Sequence, residues 1–259
     1  MQTQTIVHKL VDQYRFSSSK TVRDFSVVLA DTIGRSAIFD FGDADQIPID
    51  KSGGFCDAKA PFDEVVLQFS MPKNPVHSHM IVIWHTISDH EFSVTVSLKD
   101  RDSDNFRTCL PALVLREGIG FKYERLGVQE SQNAIQTGHA MALNAFYVLG
   151  CANVRTVDNS APEKLNKNRA INGKFPIQSY KTLVIDAGKP QAARDDRGGT
   201  HSSPRVHLRR GHVRQIEGGR RIWVQPCVVG SKHGVITKDY RVINSNFQAP
   251  IAQPDRYTA

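Results

Sequence analysis

Two apolar segments lying close together most limit what this chain can fold into. Met80 to Thr86 is an apolar run, and Glu91 to Leu98 puts Phe92, Val94, Val96 and Leu98 at every second position. A period of two sends alternate side chains to one side of a pleated strand. Two such segments joined by a short polar stretch predict a hairpin. Phe62 to Phe69 also alternates and predicts a further strand. An apolar sheet face needs a cover, and Ser131 to Leu149 is the best helix of the chain to supply it. Ile135, Ala142, Ala145, Phe146, Val148 and Leu149 make its broad apolar face, with Gly150 at the C-cap.

Around this centre the remaining elements are shorter. Residues 4–15 carry Ile6, Val7, Leu10, Val11 and Tyr14 on one side of a helix. Ser17-Ser18-Ser19 breaks it and offers an N-cap for a second helix over 20–33, which Gly34 ends. Residues 40–61 are rich in Asp, Gly and Pro and predict a loop. Val154 to Val157 is short and extended. Ser160-Ala161-Pro162-Glu163 fits a capping box opening a basic helix from Glu163 to Ala170, with Gly173 after it. Ser179 to Ile185 predicts a strand, 186–203 a linker, and Gly234 to Val242 a last strand. The fold class is therefore α+β: N-terminal helices, a central antiparallel sheet with one long packed helix, and a basic C-terminal β-hairpin. Three regions follow: a scaffold over 1–150, a basic region over 151–243 that can continue the same domain, and a polar tail over 244–259.

Charge divides the chain along the same line. Residues 151–259 hold 19 Lys and Arg against 8 Asp and Glu, which leaves 14 against 18 for residues 1–150. A basic half implies an anionic partner, either RNA or an acidic protein surface. No run of about 18 apolar residues predicts a membrane span, and the first residues lack the pattern of a signal peptide. Cys56, Cys109, Cys151 and Cys227 form no close pair, which fits a reducing cytoplasm and carries no zinc signature. No metal or other cofactor is expected.

The cations concentrate between Ser203 and Pro226. Arg205, His207 and Arg209 alternate with Val206, Leu208 and Arg210, Gly218-Gly219 predicts a turn, and Arg221 to Gln225 predicts the returning strand. Such a ribbon projects Arg205, Arg209, Arg210, Arg214, Arg220 and Arg221, whose guanidinium forks suit phosphate or carboxylate. Lys164, Lys167 and Arg169 either extend a phosphate-binding track or solvate a helix face. Trp223 either stacks on a base or packs the back of the ribbon.

His207 and His212 admit three chemistries. Metal ligation needs a third and fourth ligand, which His201, Cys227, His233 or Asp239 could contribute, but the tight paired spacing of structural zinc is missing and a regular strand puts the two histidines on opposite faces. Metal-independent ribonuclease chemistry needs a base, an acid and a cation, which His207, His212 and Arg209 or Arg214 would supply. On a regular strand these two histidines face opposite ways, so this needs a bulge at Gly211. The third role is contact with a carbonyl or phosphate, and binding is the preferred reading over catalysis. His77, His79, His85 and His90 have no carboxylate or Cys at ligand spacing and are read as ordinary edge and loop residues.

His207-Leu208-Arg209-Arg210-Gly211-His212, followed by Trp223-Val224-Gln225-Pro226, resembles the C-terminal region of a phage-borne family. One branch of that family is an anti-CRISPR protein directed at the type V effector nuclease. Leu165-Asn166-Lys167-Asn168-Arg169, Gly173-Lys174 and Tyr180 resemble the segment before it, so the likeness covers about residues 160–242. The resemblance implies an intracellular phage or mobile-element protein in a bacterial host, with a regulatory or counter-defence role. It implies action during translation, on a nascent polypeptide or ribosome-associated target, with loss of the message. A purely protein-binding inhibitor module is compatible with the same likeness.

Overall fold

The computed structural model describes residues 6–47, 58–118, 120–124, 129–185, 207–209, 211–224 and 227–229. Within them the protein is α+β, a large mixed sheet with helices on both faces. The strands are β1 (Ala37–Asp43), β2 (Glu64–Ser70), β3 (His77–Thr86), β4 (Glu91–Asp100), β5 (Phe106–Thr108), β6 (Ala112–Glu117), β7 (Gly120–Glu124), β8 (Val154–Asn159) and β9 (Tyr180–Ile185). Their order is β7-β6-β4-β3-β2-β1-β9-β8, with β5 beside β4. Helices α1 (Val7–Arg15) and α2 (Lys20–Arg35) precede the sheet, α3 (Gln129–Leu149) follows β7, and α4 (Glu163–Ile171) joins β8 to β9.

The predicted hairpin is β3 and β4, in register from Met80↔Leu98 to Thr86↔Phe92. Phe92, Val94 and Val96 point to one side with Val65, Leu67, Phe69, Val82 and Trp84, where α3 brings Ile135, Ala142, Leu143 and Phe146. Val66, Ile81 and Ile83 point to the other side, where α1 and α2 bring Leu10, Leu29 and Ile33. Coverage on both faces explains why β2 buries every residue from Val65 to Phe69 instead of alternating. The approach of α3 is close: a Cβ on Gly138 would lie 2.4 Å from Val96 Cγ2.

Strand β1 corrects the loop expected from residue 40. It pairs in parallel with β2 on one side (Phe39↔Leu67) and with β9 on the other (Phe39↔Lys181). The sheet is therefore mixed rather than wholly antiparallel. Asp40 and Gly42 carry a turn signal that is real but local: the Asp40 carboxylate accepts from the Gly42 amide at 3.1 Å, and Gly42 has φ 64°. Two neighbouring strands nonetheless satisfy the backbone up to that point. The capping box is also corrected. Pro162 holds the N-cap position of α4 without a side-chain cap bond. The Ala161 amide donates instead to Ser179 Oγ at 3.1 Å. Gly173, as expected from a helix stop, has φ 66°.

Because β8 and β9 join the sheet beside β1, the scaffold continues past residue 150. The expected linker over 186–203, the last strand over Gly234 to Val242 and the tail over 244–259 lie outside the described residues. No described helix is long and apolar enough to cross a membrane.

Candidate anionic-partner interface

The C-terminal ribbon forms from local alternation and a glycine turn. Strand β11 (His212–Gln215) runs antiparallel to β12 (Arg221–Val224), and β10 (His207–Arg209) to β13 (Cys227–Val229). Glu217–Gly219 makes the turn, with Gly218 at φ 78° and Gly219 at φ 72°. A side chain at either position would be strained, which is why two glycines stand there.

The two ladders share one register. Leu208 pairs with Val228 and His212 with Val224, so each strand advances four residues between these pairs. Arg210, Gln225 and Pro226, which lie between the two ladders, are outside the described residues. His207 and His212 stand five positions apart, on strands of two separate two-stranded sheets.

One side of β11 and β12 is committed to the fold. Trp223 is buried against the α3 side of the core, and Val213, its cross-strand partner, packs there too. This corrects the base-stacking role considered for Trp223. Asn153 holds the Trp223 backbone as a strand would, donating from Nδ2 to its carbonyl at 2.9 Å and accepting from its amide at 2.7 Å. The Ala152 amide donates to the Arg221 carbonyl at 2.8 Å. The Arg221 guanidinium lies 4.4 Å from the Tyr147 ring centroid. Gly150 makes room for it, since a Cβ there would stand 2.9 Å from Arg221 Nη2. Arg221 is thus an anchor rather than a projecting cation. Nearby, burial pushes the Cys151 thiol up to about 11 against the opposing pull of Arg221, which keeps it protonated and inert as a nucleophile at neutral pH.

The other side of the ribbon carries His212 and Arg214, opposite Val224 and Ile222. His212 is half-buried, whereas Arg214 and the turn residue Arg220 are exposed. Among the described residues neither arginine has an acidic partner. Arg205 and Arg210 lie outside the described residues, and of His207 and Arg209 the backbone pairing alone is described.

Helix α4 does not belong to the ribbon. It is tied to α1: Arg169 pairs with Asp12, donates from Nε to the Phe175 carbonyl at 2.8 Å, and the Phe175 amide donates to Asp12 Oδ1 at 2.7 Å. Phe175 packs into the core on the α1 side, opposite the face on which Trp223 sits. Arg169 is therefore neutralised within the molecule and is withdrawn from the phosphate track. Lys164 and Lys167 stay exposed.

Cross-strand pairing also supplies what sequence spacing hid. His77 Nδ1 comes within 3.5 Å of Asp100 Oδ1, and His85 Nδ1 within 3.4 Å of Glu64 Oε1. These histidines do have carboxylate neighbours, contributed by adjacent strands. A further buried group went unread, although its position four residues after Ile135 sets it on the apolar face of α3. His139 stacks on Trp84 at 5.6 Å, and its Nδ1 lies 2.9 Å from the Tyr123 hydroxyl. Its Nε2 is buried without a hydrogen-bond partner. Burial, and then the charge of Arg116, hold His139 down at about 4. Among the described residues no group of three or more His, Cys, Asp or Glu is placed to hold a metal ion.

The architecture defines an α+β protein with a pinned, basic two-stranded ribbon. In comparisons with protein-family models, curated proteins and solved structures, nothing matches the chain.

Proposed function

We propose that this is an RNA-binding protein that presents its C-terminal ribbon to the phosphate backbone. One observation carries the reading: the inner side of the ribbon is pinned by Trp223, Arg221 and Asn153, while Arg214 and Arg220 stand exposed. Pre-placed guanidinium groups lose less freedom on meeting an anion than arginines on a loose tail. On the family resemblance, the protein is a phage-encoded regulatory or counter-defence factor acting on a message in the bacterial cytoplasm.

Fluorescence anisotropy of a labelled RNA, read as a function of salt, tests this. Each phosphate contact contributes about −0.7 to the log–log slope for a single strand. Replacing Arg214 and Arg220 together with Ala is expected to weaken binding and flatten the slope by about 1.4. Affinity that ignores salt, or a partner captured equally well after nuclease treatment, would replace RNA with a protein surface.

A further inference from the structure

Strand β8 is the outermost strand of the sheet among the described residues, paired only with β9. The residues before it, Ala152 and Asn153, hold the ribbon. The residues after it lead directly into α4. The two exposed cationic elements therefore bracket one sheet edge that has no further strand among the described residues. Helix α4 has no fully buried residue and is tied down by polar bonds: Asn166 donates to the Ile177 carbonyl and accepts from its amide, each at 2.8 Å, while Arg169 binds Asp12. Lys164 and Lys167 lie three positions apart on one exposed stripe of this helix. The intervening strand exposes Arg155 to Asp158, and its one acid, Asp158, is already paired with Lys181.

Six residues of strand span about 17 Å between their ends, at about 3.3 Å per residue. At the stacked spacing of about 3.4 Å per nucleotide, that is about five nucleotides. The ribbon lies on the α3 side of the sheet and α4 on the α1 side. A ligand touching both must turn around the edge at β8. Duplex nucleic acid stays stiff over about 150 base pairs, whereas a single strand turns freely.

Building on the RNA-binding reading, we infer that the ligand is single-stranded and runs from Arg214 and Arg220 across the β8 edge to Lys164 and Lys167. Charge complementarity and the continuity of this edge with the ribbon select it. The test compares oligouridines of about 4 and about 12 nucleotides, lengths at the ends of common single-strand site sizes. With two contacts the short probe should show a salt slope near −1.4, and with four the long probe near −2.8. The combined substitution Lys164→Ala and Lys167→Ala should return the long probe to the slope of the short one and leave the short probe unchanged. Both side chains are exposed, so the fold tolerates the change. Equal slopes for the two lengths, indifference to the lysine substitutions, or equally tight binding of a duplex would overturn the path while the ribbon remained an RNA contact. If neither probe binds, the RNA reading itself fails.

Discussion

Acidification should loosen the α3 side of the core through one residue, His139. Its ring is sealed between Trp84 and Phe121, and the groups facing it are the Tyr123 hydroxyl from β7 and Arg116 from β6. Neither favours a second positive charge: burial raises the Tyr123 phenol, so it stays neutral, and Arg116 is already cationic. The histidine titrates near 6.5 when unfolded and at about 4 when folded. Between these values the unfolded chain binds the extra proton, so the stabilising effect of a neutral His139 is complete above about 6.5 and is lost as pH falls towards 4. At about 1.4 kcal/mol per unit, the full loss is about 3 kcal/mol, with about 2 kcal/mol gone by pH 5. Urea midpoints at pH 7.5 and pH 5 measure it, with His139→Phe as the partner variant. Phenylalanine keeps an aromatic ring against Trp84 and removes the titrating nitrogen. Other carboxylates and histidines contribute to both proteins and cancel in the difference. The variant should therefore lose about 2 kcal/mol less than the parent on acidification. An identical loss in both proteins would refute the assignment.

Arg169 and Lys167, two positions apart on α4, should separate cleanly. Arg169→Ala leaves Asp12 half-buried without its guanidinium and should lower unfolding stability by about 1–3 kcal/mol, whereas Lys167→Ala should leave stability within about 0.5 kcal/mol and weaken binding of long RNA. Gly138→Ala pushes a methyl group into Val96 across the helix–sheet contact, and chemical denaturation should report a loss of about 1–3 kcal/mol instead of the gain that Ala normally brings to a helix.

The elements that could be read in advance were those whose own periodicity decides them. The β3–β4 hairpin, α1, α2 and α3 each carry enough apolar residues on one side to declare their geometry, and the Gly218-Gly219 turn declares itself through backbone freedom. Strand β1 was hidden because Asp40, Gly42 and Asp43 are polar or turn-forming, and its place depends on partners from β2 and from β9, far along the chain. The basic residues behaved the same way. Composition identified them as cationic, but nothing local distinguishes Arg169, which finds Asp12, or Arg221, which finds Tyr147, from Arg214 and Arg220, which stay exposed.

What sequence alone determined about this protein was therefore its strongly periodic elements, the β3–β4 hairpin and the helices α1, α2 and α3, and the basic character of its C-terminal half. Both are properties of neighbouring residues. Tertiary structure decided which cations are spent inside the fold, which side of the ribbon faces out, and that Trp223 belongs to the core. Those outcomes depend on groups distant in sequence meeting across the sheet, and no short-range pattern records where such a meeting occurs.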